Sequence, residues 1–99
     1  MIGNDDVRTV ADIARIRACR AILEDSDLSG ARLNGISGAA AKMKGCKLVG
    51  AKLTAARLPG ASLVGADLTG ADLAAADLAR ANLAGAILKG AVLRGAVLA

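Results

Sequence analysis

The chain has 99 residues, a formal net charge of +4, and 55% hydrophobic residues without a single Phe, Tyr, Trp or His. A domain this short buries a modest share of its surface, and an all-aliphatic core suits a narrow repetitive shape better than an irregular globule. The lack of His removes the commonest general base and metal ligand, and two cysteines, Cys19 and Cys46, make neither a disulfide framework nor a metal-ligand spacing.

The N-terminus, MIGNDDVRTV, has no basic region followed by an apolar run, which argues against a secretory signal. Read as small buried hydrophobes, the cysteines point to a reducing, cytoplasmic setting. Residues 1–20 are expected to cap the N-terminal end of the segment that begins at Ala21. Asn4-Asp5-Asp6 before VRTVADIARIRACR resembles a capped helix, with acids in its first turn and Arg17 and Arg20 in its last. Its apolar stripe of Val7, Val10, Ala11, Ala14 and Ala18 is thin and misses Ile16. A second reading of residues 11–20 extends the five-residue pattern of the next segment. Ala11-Asp12-Ile13-Ala14-Arg15 fits that pattern, and Ile16-Arg17-Ala18 prefigures Ile36-Ser37-Gly38 twenty residues later. Both readings stand, with a short helical cap kept for the residues before them.

From Ala21 onward the chain reads in fives. Of sixteen units, fourteen have Leu at the third position and thirteen have Ala at the first, and ten of the fifteen complete units end in Gly. A period of five fits neither the helical 3.6 nor the strand period of two. It asks instead for a short extended piece with its Leu inward and a bend at the Gly, which tolerates the positive φ of a type II turn. Four such sides make a square coil of twenty residues, and coils stack about 4.8 Å apart. The A(D/N)LxG pattern resembles the pentapeptide-repeat proteins over residues 21–99. The resemblance implies an all-β fold, a right-handed quadrilateral parallel β-helix of about four coils. Leu48, Leu53, Leu58, Leu63, Leu68, Leu73, Leu78 and Leu83 form its expected core ladder. Two units lack Leu at the third position, which holds Gly38 in one and Met43 in the other. Ile36 and Gly38 either move inward volume from the third position to the first or mark a small bulge over Asn34–Gly38; Pro59 sits at a fourth position, where a corner amide needs no partner.

Four-sided coils place residues twenty apart above one another. The outward second positions then stack as Asp27, Lys47, Asp67, Ile87, as Arg32, Lys52, Asp72, Val92, and as Ser37, Arg57, Asp77, Val97. Lys47, Lys52 and Arg57 thus meet Asp67, Asp72 and Asp77, a charge ladder worth about 0.2–1 kcal/mol per pair, at the low end where exposed. Lys42, Lys44, Lys47, Lys52 and Arg57 resemble a nucleic-acid patch in sequence. Stacked, however, three of them gain an acidic neighbour, while Lys42 and Lys44 lie beneath Ser62 and Val64. With no aromatic to stack on bases as well, nucleic-acid binding is disfavoured.

The final stretch, Ala81 to Ala99, is apolar, but Lys89 and Arg94 interrupt it and its polar residues recur every five positions, unlike a membrane span. Its outward positions turn aliphatic at Ile87, Val92 and Val97. With Leu93 and Leu98 these form an expected self-association surface, most simply an end-to-end twofold dimer. A repeat segment cut from a longer protein is the alternative. C-terminal dimerisation is also a habit of the family that the chain resembles.

No Ser/His/Asp or Cys/His arrangement, phosphate loop or carboxylate pair can be assembled, and Asp67, Asp72 and Asp77 lie on three different faces. The chain is therefore expected to be no enzyme and to hold no cofactor or metal. The expected role is a protein-interaction scaffold with flat faces, a homodimer through its last coil, open to an unidentified protein partner and not bound to membrane. Some members of the resembled family mimic DNA and bind DNA gyrase. That role needs a long acidic rod, whereas this chain is at +4 and four coils span only about 20 Å. Thr9, Thr54 and Thr69 do not form the regular array that ice binding on a flat face requires.

Overall fold

The computed structural model of the chain describes residues 23–98, which form one continuous parallel β-helix and contain no α-helix. The expected cap over residues 1–20, and the choice between helix and repeat for residues 11–20, lie outside the described residues. Eleven parallel bridges each join residue i to residue i+20. They fall into four columns, beginning at Asp27, Arg32, Ser37 and Lys42, so each coil has four sides and twenty residues.

The ladder follows from the five-residue unit. The third-position amide donates to a second-position carbonyl one coil on, as Leu68 does to Ile87 (2.7 Å). The second-position amide donates back to a first-position carbonyl, as Asp67 does to Cys46 (3.0 Å). The fifth-position amide joins the fourth position above it, as Gly70 does to Lys89 (2.8 Å). Fourth-position amides enter no backbone bond among the described residues, so Pro59 removes nothing there.

Corners are built alike. Each first-position amide donates to the third-position carbonyl of the preceding unit, as Ala71 does to Leu68 (2.9 Å). Between them the fifth-position residue has positive φ in every unit from Asp25 to Gly95, the signature of a type II turn. Glycine accepts this freely. Asp25, Ala40, Ala55, Ala75 and Arg80 adopt it as well, each at a backbone cost of about 1–2 kcal/mol.

The second-position residue is extended, so its neighbours on both sides point the opposite way. First and third positions therefore fill the interior together. Third-position Leu23, Leu28, Leu33, Met43 and every Leu from Leu48 to Leu78 are buried, as are the first-position alanines from Ala31 to Ala76. Ser26 and Cys46 replace Ala at buried first positions with one added heavy atom each. Of the expected core ladder, Leu83 is only partly buried, like Leu88 and Leu93 beyond it, because it belongs to the last described coil.

The irregular unit at Ile36 keeps register. Ser37 bridges Arg57 and the Gly38 amide donates to the Arg57 carbonyl at 2.7 Å, so the alternative of a bulge is excluded. Ile36 is buried in the place of an Ala, and the buried Gly38 leaves room for it.

Leu73→Ala is expected to cost about 2–5 kcal/mol in denaturant unfolding, because it empties a fully enclosed site, whereas Leu98→Ala changes stability by less than about 0.5 kcal/mol. Gly70→Ala meets no atom within 4 Å of the added Cβ. Its expected loss of about 1 kcal/mol comes from the positive φ alone, and Ala75→Gly should show no such loss by the same measurement.

Candidate functional site: the outer faces and the last coil

Outward side chains come from the second, fourth and fifth positions, and the coil groups them into layers. One layer is basic, with Lys47, Lys52 and Arg57; the next is acidic, with Asp67, Asp72 and Asp77; the last is aliphatic, with Ile87, Val92 and Val97. Lys47 bridges Asp67, Lys52 bridges Asp72 and Arg57 bridges Asp77, so the charge columns stand in backbone register.

The carboxylates themselves turn to their own corners. Asp67 Oδ1 accepts from the Thr69 amide (3.1 Å) and hydroxyl (2.6 Å). Asp72 and Asp77 accept from the amides of Ala74 and Ala79, at 3.1 and 3.0 Å. Asp27 and Asn82 do the same with Ser29 and Ala84. These are Asx turns, in which the side-chain oxygen of an Asp or Asn two residues before a corner amide satisfies it. The Thr69 hydroxyl, followed by the Thr69 amide, holds the Asp67 carboxyl below its ordinary range against an opposing effect of desolvation, and Lys47 contributes least. Asp27 is lowered chiefly by the Ser29 amide, again with Lys47 last. The outward acids thus stabilise turns first and face cations second. The signal was present in the sequence as Asp or Asn two residues ahead of each such corner.

Lys44 has a partner column that upward stacking overlooks. Its carbonyl accepts the Asp25 amide at 2.9 Å, which places Lys44 one coil above Glu24. Lys42 bridges Ser62. Lys47, Lys52 and Arg57 lie on three different faces, each with an acid in the layer above, while Lys42 lies on the fourth face with Ser62 and Asn82 above it, so these residues do not form one cationic groove.

Cys46 is fully buried at a first position. Burial, reinforced by Asp27 and Asp25, pushes its thiol up to about 12, so it is a packing residue and a poor nucleophile. Among the described residues, no three of His, Cys, Asp and Glu gather to hold a metal ion, and no helix is long and apolar enough to cross a membrane. A shallow depression of about 480 Å³ is lined by Pro59, Gly60, Ala79 and Arg80, and offers one charged group.

The last coil differs from the others. Ile87, Val92, Val97 and Leu98 are 49, 41, 48 and 54% exposed, and Leu93 is partly buried. Leu83 and Leu88, which the repeat pattern did not assign to this surface, join them at the end of the coil. The amides of Leu83, Gly85, Leu88, Gly90, Leu93 and Gly95 have no backbone acceptor among the described residues, although their equivalents one coil below all donate upward. The carbonyls of Ala81, Ala86 and Ala91 are open in the same way.

Against known families, the chain matches the model for pentapeptide repeats in eight copies, over residues 21–60, 46–80 and 76–99. Comparison with curated protein sequences returns no match. Among solved structures it is similar to the pentapeptide repeat protein Rfr23 from the cyanobacterium Cyanothece 51142, with 30% identity and a TM-score of 0.59. That alignment covers 75% of this chain and 57% of Rfr23, so the chain spans little more than half of that relative. It is also similar to alr5209, a pentapeptide repeat protein from Nostoc PCC 7120, with 30% identity, a TM-score of 0.52, and coverage of 92% of this chain and 76% of that one.

Thr69→Val is expected to raise the Asp67 carboxyl toward its ordinary value in an NMR titration. Because the folded carboxyl lies below the ordinary value of 3.8, its stabilising effect is present above that pH and is lost as pH falls through the folded value. The Cys46 thiol carries the opposite sign. Its stabilisation is complete below about pH 9 and declines as pH rises toward 12. The difference in urea stability between wild type and Cys46→Ala should shift across that window, and Cys46 should resist iodoacetamide at pH 8 until the chain is unfolded.

Proposed function

The chain belongs to the pentapeptide repeat family, whose members fold as right-handed β-helices and are generally non-enzymatic, and on that premise we propose that it is a non-catalytic protein-interaction scaffold. It offers flat β faces to partners and pairs with a second copy of itself through its last coil. The finer architecture belongs to this reading: about four square coils over residues 21–99, covered at the N-terminal end by residues 1–20, in a cytoplasmic setting that suits the buried thiol of Cys46.

The observation that carries the reading is the last coil. A β edge with open donors and acceptors is a template for another chain. This edge carries both kinds along one rim, at Leu83, Leu88 and Leu93 and at Ala81, Ala86 and Ala91, so two identical ends can satisfy each other across a twofold axis. Apolar contact supports the same pairing, since Leu98 and the surrounding Ile87, Val97 and Val92 are the four most exposed large hydrophobic residues among the described residues, ahead of Val49. Outward side chains point away from one another on four faces, which favours binding flat surfaces over enclosing a small substrate.

Size sets the strength of this contact. The cross-section is 21 × 20 Å, so the ends bury about 400 Å² per copy, and the total of about 800 Å² falls short of the roughly 1,000 Å² of a durable interface. The dimer is therefore concentration-dependent. Light scattering should show the mass rising from one chain toward two as protein concentration increases. Ile87→Lys/Val92→Lys, which removes apolar contact and adds like charge, should hold the protein at the single-chain mass with an unchanged circular dichroism spectrum. A wild type that stays at single-chain mass throughout rejects self-association.

A further inference from the structure

The charge distribution of the last coil has a consequence for any twofold pairing of its end. The coil turns four corners, at residues 79–80, 84–85, 89–90 and 94–95. Three of them carry a cation, namely Arg80, Lys89 and Arg94, and the corner at Ala84–Gly85 carries none. No acidic side chain follows Asp77 in the sequence. One coil below these cations stand Gly60, Thr69 and Ala74, so none has an acid stacked beneath it, unlike Lys47, Lys52 and Arg57, which have Asp67, Asp72 and Asp77 above them.

A four-cornered end can meet its copy about a twofold axis in four ways: along either pair of opposite faces or along either diagonal. With the axis through the faces of Ile87 and Val97, Arg94 lies over Arg80 of the second copy. With the axis through the faces of Asn82 and Val92, Lys89 lies over Arg94 of the second copy. Along the diagonal through corners 79–80 and 89–90, Arg80 and Lys89 each meet their own counterparts. Along the other diagonal, Arg94 meets its counterpart while Lys89 meets Arg80. Because only one corner is neutral, every arrangement stacks like charges at two or more corners. Their backbones would then lie about one sheet spacing apart, roughly 4.8 Å.

Such corners oppose the contact unless something neutralises them. Two cationic heads converging from adjacent layers, each a donor of several hydrogen bonds, suit an oxyanion with more than one charge. We propose that the seam between two last coils contains paired-cation sites for a small multivalent oxyanion of the phosphate type, so that self-association and anion uptake are coupled. This rests on the end-to-end reading above. An anion held by the pair and not by the single chain pulls the equilibrium toward the pair. The gap at each corner is one layer high and is closed by two chains, so it takes a free ion in preference to a headgroup fixed in a bilayer. The small apolar area of the contact leaves the charge balance able to decide whether it forms.

Sedimentation velocity of the full chain in sodium chloride and in millimolar pyrophosphate at matched ionic strength tests the coupling. Pyrophosphate should lower the dimer dissociation constant of the wild type by about tenfold or more. Arg80→Gln/Lys89→Gln/Arg94→Gln should dimerise with the same constant in both buffers. A wild-type dimer indifferent to pyrophosphate overturns the anion site and leaves the end-to-end contact standing, and a triple variant that still responds overturns the assignment to these three residues. If both proteins remain single chains in every buffer, the contact itself is rejected, and the site with it.

Discussion

Each side of the coil closes through a hydrogen bond from a first-position amide to the third-position carbonyl before it, across a residue held at positive φ. The rest of the structure depends on that corner. It turns the chain after a single bridging residue, so every side has the same length and the sides return to register after twenty residues. With the register set, Leu stacks on Leu and Ala on Ala, and a core without one aromatic ring becomes continuous. The requirement is strong enough that Asp25, Ala40, Ala55, Ala75 and Arg80 take a conformation that side-chain-bearing residues ordinarily avoid. No single corner is held in isolation: its strain is offset by the ladder bonds and burial of the coils on either side.

The interior leaves the outward positions free, and the chain uses them one layer at a time. The basic, acidic and aliphatic layers follow one another along the axis. The acidic layer shows how a surface residue serves the fold as well. Asp67, Asp72 and Asp77 cap the corner amides two residues on, which the ladder leaves without a backbone partner. In the last coil, Ile87 and Val92 occupy the same positions and have no group to accept from Lys89 and Arg94. That coil is therefore less self-satisfied than the one below it, as well as more apolar and wholly cationic in its charged side chains.

These properties bear on function through geometry. Side chains on the outside of a four-sided coil diverge, so neighbouring charges in the sequence face different directions and do not assemble into a pocket. Binding by such an object is binding by face or by end. Three of the faces set an acidic layer over a basic one along the axis, whereas the last described coil combines an open hydrogen-bonding edge with exposed aliphatic residues. That asymmetry places the proposed contact at the end, and the like charges around it make its small area sensitive to the ionic surroundings.

The period of five and the Leu at its third position were enough to read the corner, the inward ladder and the charge columns, because a repeat exposes the same local rule in every unit. Two details were equally legible: Pro59 occupies a position whose amide takes no part in the ladder, and the second-position residues Asp67, Asp72 and Asp77 stand over Lys47, Lys52 and Arg57. The sequence alone left Ile36-Ser37-Gly38 open between a volume exchange and a bulge. Only the coils packed above it decide, because Arg57 bonds this unit in register. The tertiary structure likewise decided where the carboxylates point, since a corner amide two residues away competes with a cation one coil below. It also decided that Leu83, in the last described coil, packs against the core while staying only partly buried: an identical unit is more or less enclosed according to the coils stacked on it, a property of stacking that no five-residue pattern contains.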